Sequence, residues 1–179
     1  MTTLTQLHTE IDERVQIIRQ NRADWLCGKG CDNCCRRLAD VPQLTRAEWE
    51  LLQEGLADLP PARLQEIRSN MAALNDQRAA PVTCPLLDLT TGSCTVYAQR
   101  PVACRTYGFY VQRDLGLYCH DIESRVADGA LDDVVWGNHD AIDRRLTSFG
   151  EIYALTDWFE CWDNGTQIEE KQPSRMPRK

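Results

Sequence analysis

The sequence predicts a mainly α fold with a small β hairpin, its helices assembled around a cysteine-rich metal-binding centre. Three observations carry that reading. Apolar residues recur at helical spacing in several separate stretches. Two capping boxes mark helix starts. Nine cysteines stand in 179 residues, four of them between positions 27 and 35 and four more between 84 and 119.

The first helix is predicted over Leu4 to Gln20. Leu4, Leu7, Ile11, Val15 and Ile18 recur at spacings of three and four, and Thr3 with Gln6 forms a capping box. Residues 1–22 are read as an N-terminal amphipathic helix, 23–165 as the cysteine-cluster domain and 166–179 as a polar, disordered tail. A second helix starts at Thr45, where Thr45-Arg46-Ala47-Glu48 is another capping box and Trp49, Leu52 and Leu56 form the apolar stripe. A third follows Pro60-Pro61, since proline is tolerated in a first helical turn, and buries Leu64, Ile67, Met71 and Leu74.

From Thr83 the pattern changes. Cys84 to Leu89, a Thr90-Thr91-Gly92-Ser93 turn and Cys94 to Tyr97 suggest a hairpin with a cysteine on each arm. Ala98 to Arg105 reads as one helical turn opened by Arg100-Pro101. The remainder reads as helical again: Leu131, Val134, Val135 and Trp136, an interruption near Gly137, then Ile142 and Leu146, and a last stripe of Ile152, Leu155, Trp158 and Phe159.

Composition narrows the function classes. A net charge of −7 and a pI near 5.0 argue against nucleic acid as a partner. No stretch approaches the ~18 apolar residues of a membrane span. The start lacks a basic segment followed by an apolar one, so no signal peptide is expected and the protein is read as cytoplasmic. A reducing compartment and an odd cysteine count disfavour disulfides. So does the Cys34-Cys35 pair, whose Cα atoms lie ~3.8 Å apart, below the usual ~4.4–6.8 Å of a disulfide.

Thiolates ligate zinc and iron–sulfur clusters, usually four to a site. Cys27, Cys31 and Cys34 follow a C-x3-C-x2-C spacing, and the C-x2-C half turns both sulfurs toward one ion. Cys35 is expected to point away from Cys34, so the adjacent pair implies either two metals or a ligand bridging between them. Eight thiolates around two divalent ions leave a charge of roughly −4, which calls for cations close by. Arg36 and Arg37 follow the first group, and Arg100 and Arg105 flank Cys104. The guanidinium groups of Arg36, Arg100 and Arg105 are the candidates for donors to sulfur, whereas Arg37 reads equally well as a solvated charge.

Cys27-x3-Cys31-x2-Cys34-Cys35, Cys84-Pro85-Leu86, Cys94-Thr95-Val96-Tyr97-x2-Arg100-Pro101-x2-Cys104-Arg105-x-Tyr107-Gly108-Phe109 and Cys119 together resemble the YkgJ-type cysteine-cluster family. That family carries a CxxCxxCC signature and is described as a zinc- or iron-chelating domain. The first spacing here is one residue longer than in the signature. The resemblance implies metal binding by Cys27, Cys31, Cys34, Cys35, Cys84, Cys94, Cys104 and Cys119, with zinc or iron as the cofactor and an iron–sulfur cluster as one form of it. It supplies no reaction. A similar cysteine motif occurs in flagellin lysine methylases, and that likeness extends only to the cysteines.

Two function classes remain open at this stage: a cytosolic protein holding metal ions as its partners, and an iron–sulfur redox or catalytic protein. A thiol oxidoreductase using Cys31-x2-Cys34 lacks the βαβ context such a motif requires. Cys161 reads as an ordinary buried thiol. His120 and His139 read as structural rather than as ligands. No phosphate loop, nucleophile elbow or His-Glu-x-x-His helix is present, so the sequence assigns no enzymatic activity.

Overall fold

The computed structural model describes residues 3–77, 79–113 and 115–168. It is mainly α with small two- and three-stranded sheets. Helix α1 (Leu4–Asn21) starts at the expected box: Gln6 N–H donates to Thr3 Oγ1 at 3.2 Å, and Thr3 N–H donates to Gln6 Oε1 at 2.8 Å. These bonds satisfy two of the N–H groups that a helix start leaves unpaired. Leu7, Ile11 and Ile18 are buried against Val102, Phe109, Tyr110 and Ile142, which form one of two cores.

The second core is built on α3 (Arg46–Ala57), α4 (Pro61–Asp76) and α8 (Leu155–Asn164). Thr45 and Glu48 close the second capping box. Leu44, Leu52, Leu56 and Leu155 are essentially inaccessible, each contributing ~1.5–3 kcal/mol by leaving water. Trp49 stacks on Trp158 at 6.1 Å between centroids, and Trp158 Nε1–H donates to the Leu44 carbonyl at 2.9 Å. That carbonyl sits on strand β1 (Gln43–Thr45), which pairs antiparallel with β7 (Ile152–Ala154). The predicted tail meets this core at Ile168, which is 4 % exposed. From residue 169 that tail lies outside the described residues.

Between the cores run the short elements that carry the later cysteines. Strands β2 (Leu87–Asp88) and β3 (Ser93–Cys94) form the hairpin. Cys94 lies on its second arm, while Cys84 stands in the turn before the first, its carbonyl accepting from Leu87 N–H at 3.1 Å. Helix α5 (Val102–Thr106) follows, then β4 (Tyr110–Gln112) and β5 (Leu115–Leu117), which pair antiparallel, and α6 (His120–Ala127). Strand β6 (Gly137–Asn138) joins β4 in parallel and leads into α7 (His139–Leu146).

The structure departs from the expected helix around 131–136. This segment is turn and irregular chain. Gly137 pairs with Tyr110, and a Cβ there would overlap the Tyr110 ring. Trp136 meanwhile packs between Trp25 at 5.6 Å and Tyr118 at 5.2 Å. Strand pairing at one end and aromatic packing outrank the local helical pattern. Among the described residues no helix is long and apolar enough to cross a membrane.

Candidate metal centre

The first four cysteines are held by local turns. Gly30, at φ +93°, allows the loop to reverse, and Cys31 N–H donates to the Gly28 carbonyl at 3.1 Å. Cys34 and Cys35 then sit on a one-turn helix, α2 (Asn33–Arg36). The two sulfurs do not point apart as expected: Sγ to Sγ is 3.9 Å. A helical turn separates neighbouring side chains by about 100°, which leaves both thiols on one side of α2.

Long-range backbone bonds bring the later cysteines to this loop. Leu38 and Val82 form an antiparallel bridge, and Cys84 N–H donates to the Cys35 carbonyl at 2.7 Å. The hairpin tip lies against the loop so closely that a Cβ on Gly92 would stand 2.9 Å from the Gly30 carbonyl oxygen. On the other side Asn33 Nδ2 donates to Asp121 at 2.8 Å, which ties α2 to the start of α6, where Cys119 is the N-cap residue. Cys27 rests on Gly108, whose φ of +87° and missing Cβ make room for the sulfur. Cys104 is carried by α5.

The thiols fall into two groups by their mutual electrostatic influence. Burial, then Cys31, Cys119 and Cys34, push the Cys27 thiol up to about 12. Burial, then Cys94 and Cys34, push Cys104 up to about 12, with Arg100 opposing. Cys84 is raised by burial first and then by Cys104, Cys94 and Cys34. Cys94 is raised by burial, against backbone donation from Val96 and the charge of Arg100. Cys34 acts on both groups, and its own thiol is raised by its contact with Cys35 and by burial. Cys31 and Cys119 thus act on Cys27, and Cys94 acts on Cys84 and Cys104, while Cys34 acts on all three.

Six of these thiols, Cys31, Cys34, Cys35, Cys84, Cys94 and Cys104, line one cavity of about 400 Å³. Among the described residues no three Cys, His, Asp or Glu side chains converge tightly enough to hold a single ion. The thiols ring a space instead of meeting at a point.

The family model described as "CxxCxxCC: Putative zinc- or iron-chelating domain" matches residues 26–126, more than half of the chain. The chain belongs to this family. The CxxCxxCC match begins just before Cys27, ends just after Cys119 and excludes Cys161, which is buried in the second core with its sulfur 4.0 Å from the Gln167 carbonyl. Comparison with curated proteins and with solved structures gave no match. The donor chemistry fits the family description, because clustered thiols suit zinc and iron alike. At neutral pH the raised thiols are protonated, so a metal must displace their protons on binding.

The expected arginine donors are disposed differently from one another. Arg100 lies close enough to Cys94 and Cys104 to favour their thiolates. It stacks on Tyr97 at 3.5 Å from the ring centroid. Arg105 directs its N–H groups to the Arg100 and Ala98 carbonyls and to Asp12. Arg36 pairs with Asp32 at 2.6 Å, while Arg37 lines the thiol cavity. His120 is exposed beside Glu123, and His139 faces Asp143 at 3.1 Å.

Three residues beside the thiols were given no role from the sequence, although Tyr107 and Gly108 stand in the family motif. Arg19 reaches over Gly28 from α1 and favours the Cys27 thiolate. Gly108 makes room for Cys27. Tyr107 has its hydroxyl pushed up to about 12 by burial and by Cys34, Cys119 and Cys27. For Tyr107 and Gly108, their place three and four residues after Cys104 was the available hint.

Proposed function

We propose that this protein is a cytosolic metal-binding protein that holds zinc or iron in a multi-metal or cluster centre, through up to eight thiolates. The observation that carries the reading is the six-thiol cavity with Cys34 reaching both cysteine groups. Cys27, Cys31 and Cys119 serve one side, Cys84, Cys94 and Cys104 the other, and Cys34 with Cys35 joins them. A single tetrahedral ion would leave four of these thiols without a role. Arg19 and Arg100 offset part of the accumulated negative charge.

An iron–sulfur redox or catalytic role is the second reading. It is favoured by one continuous cavity in place of two separate points, since a cluster fills a volume and its iron is ligated by cysteine thiolates. An iron–sulfur cluster would supply one-electron chemistry there. Elemental analysis with an absorption spectrum of anaerobically purified protein tests both. Two or more zinc ions per colourless chain support the first form. Iron with absorption near ~400 nm supports the second. Protein that carries neither metal and takes up neither after reconstitution contradicts the proposal.

A further inference from the structure

A second cavity, of about 570 Å³, is itself lined by Cys27 and shares with the first a wall that includes Cys31, Cys34, Arg100, Cys104 and Tyr107. Its opposite wall is the face of α1 that carries Thr5, His8, Asp12 and Arg19. Its volume lies within the range of small-molecule sites.

Two features of this wall are unexplained by folding alone. His8 is 7 % exposed, yet its Nε2 has no hydrogen-bond partner among the described residues. Buried polar atoms are normally paired, and here the unpaired one belongs to a ring that lines the cavity. Burial, and then Arg105, hold the His8 imidazole down at about 4, so it is neutral at physiological pH and its Nε2–H tautomer offers a donor. The second feature is charge. Asp12 is the carboxylate lining this cavity, and Arg105 already occupies it. Arg19 and Arg100 pair with no carboxylate among the described residues. Arg100 uses its Nε on the Tyr97 carbonyl and stacks on the Tyr97 ring, which leaves both Nη groups without a hydrogen-bond partner among the described residues.

We infer that this cavity is a binding site for a small molecule bearing a carboxylate or phosphate group, held by Arg19, Arg100 and His8 beside the metal centre. Guanidinium groups and a neutral imidazole N–H are donors suited to such an oxyanion. Negative charge on metal-bound thiolates opposes an anion here, and Arg100, which lines both cavities, offsets it where they meet. The inference goes beyond the metal-binding reading, and the cavity exists whichever metal the neighbouring one takes.

The test is calorimetric titration of the purified protein, metal-free and metal-loaded, with inorganic phosphate and separately with succinate, at fixed ionic strength. The His8 ring nitrogens are followed by NMR. Saturable binding of one equivalent of either probe, with a displaced His8 Nε2 resonance, is expected. Arg19→Gln and His8→Leu should each weaken binding about tenfold, whereas Arg144→Gln, at an exposed position outside the cavity, should not. Which probe binds tells carboxylate from phosphate recognition. No shift of the His8 resonance at millimolar concentrations of either probe, in either form, overturns the inference. So does equal weakening by Arg19→Gln and Arg144→Gln. Protein that binds an oxyanion but no metal would contradict the metal-binding reading alone.

Discussion

The Glu48 carboxylate closes two helix starts at once: its Oε2 accepts from Thr45 N–H at 2.9 Å, and its Oε1 accepts from Val102 N–H at 2.8 Å. Glu48 is 3 % exposed. One side chain thereby fixes the start of α3 and the start of α5, and α5 carries Cys104. Glu48→Ala leaves both N–H groups buried and unpaired, at ~1–3 kcal/mol each. Urea denaturation should show that loss of stability, and elemental analysis should show weaker metal retention. Glu48→Gln keeps one acceptor oxygen and is expected to fall between the two.

Gly108→Ala should damage the centre more than the fold. The added Cβ would overlap the Cys27 sulfur, and φ of +87° strains any L side chain. The expected result is lost metal from the Cys27 side together with ~1–3 kcal/mol of destabilisation. Gly165→Ala is the control, because its φ is +66° but its Cβ would meet nothing. It should cost about 1 kcal/mol and leave the metal content unchanged.

Substitution of single cysteines separates the proposed ligands from Cys161. Cys34→Ser should remove metal from both groups, since Cys34 acts on both Cys27 and Cys84. Cys119→Ser should weaken only the Cys27 side. Cys161→Ser should leave the metal content at the parent value. Metal-to-protein ratios of the three variants, measured after identical anaerobic purification, check this.

The metal-free protein should lose stability in alkali. Cys27 and Cys104 are raised from the ordinary value of 9.0 to about 12. Between those values the folded chain holds protons that the unfolded chain has released, so stability is full below about pH 9 and falls as pH rises toward 12. Metal loading reverses the dependence, because bound thiols have already lost their protons while the thiols of the unfolded chain still hold theirs at pH 7.5. Between pH 7.5 and pH 10 the denaturation midpoint should therefore fall in the metal-free form and rise in the metal-loaded one. Metal uptake in weak buffer at pH 7.5 should release protons.

Much of the helical scaffold was legible because its signals are local. Thr3 with Gln6 and Thr45 with Glu48 each lie three residues apart, and both boxes formed. The alternation of apolar and polar residues that marks a strand needs more length than Gln43–Thr45 or Gly137–Asn138 provides. The pairing of β1 with β7 joins residues more than a hundred positions apart, and neither strand announces the other. The cysteine spacing exposed the existence of two groups. It could not show that Cys34 and Cys35 share one face of α2, because that depends on a single helical turn closed by Arg36 N–H to the Asp32 carbonyl. Arg19 and His8 read as ordinary positions on an amphipathic helix until α1 is laid over the cysteine loop.

X-ray absorption spectroscopy of the metal-loaded protein reads the centre itself. A sulfur-dominated first shell is expected, at ~2.3 Å for zinc, together with a metal–metal scattering feature that disappears in Cys34→Ser. A single metal per chain with no metal–metal feature, or a first shell made mainly of nitrogen and oxygen, would contradict the proposed multi-metal thiolate centre.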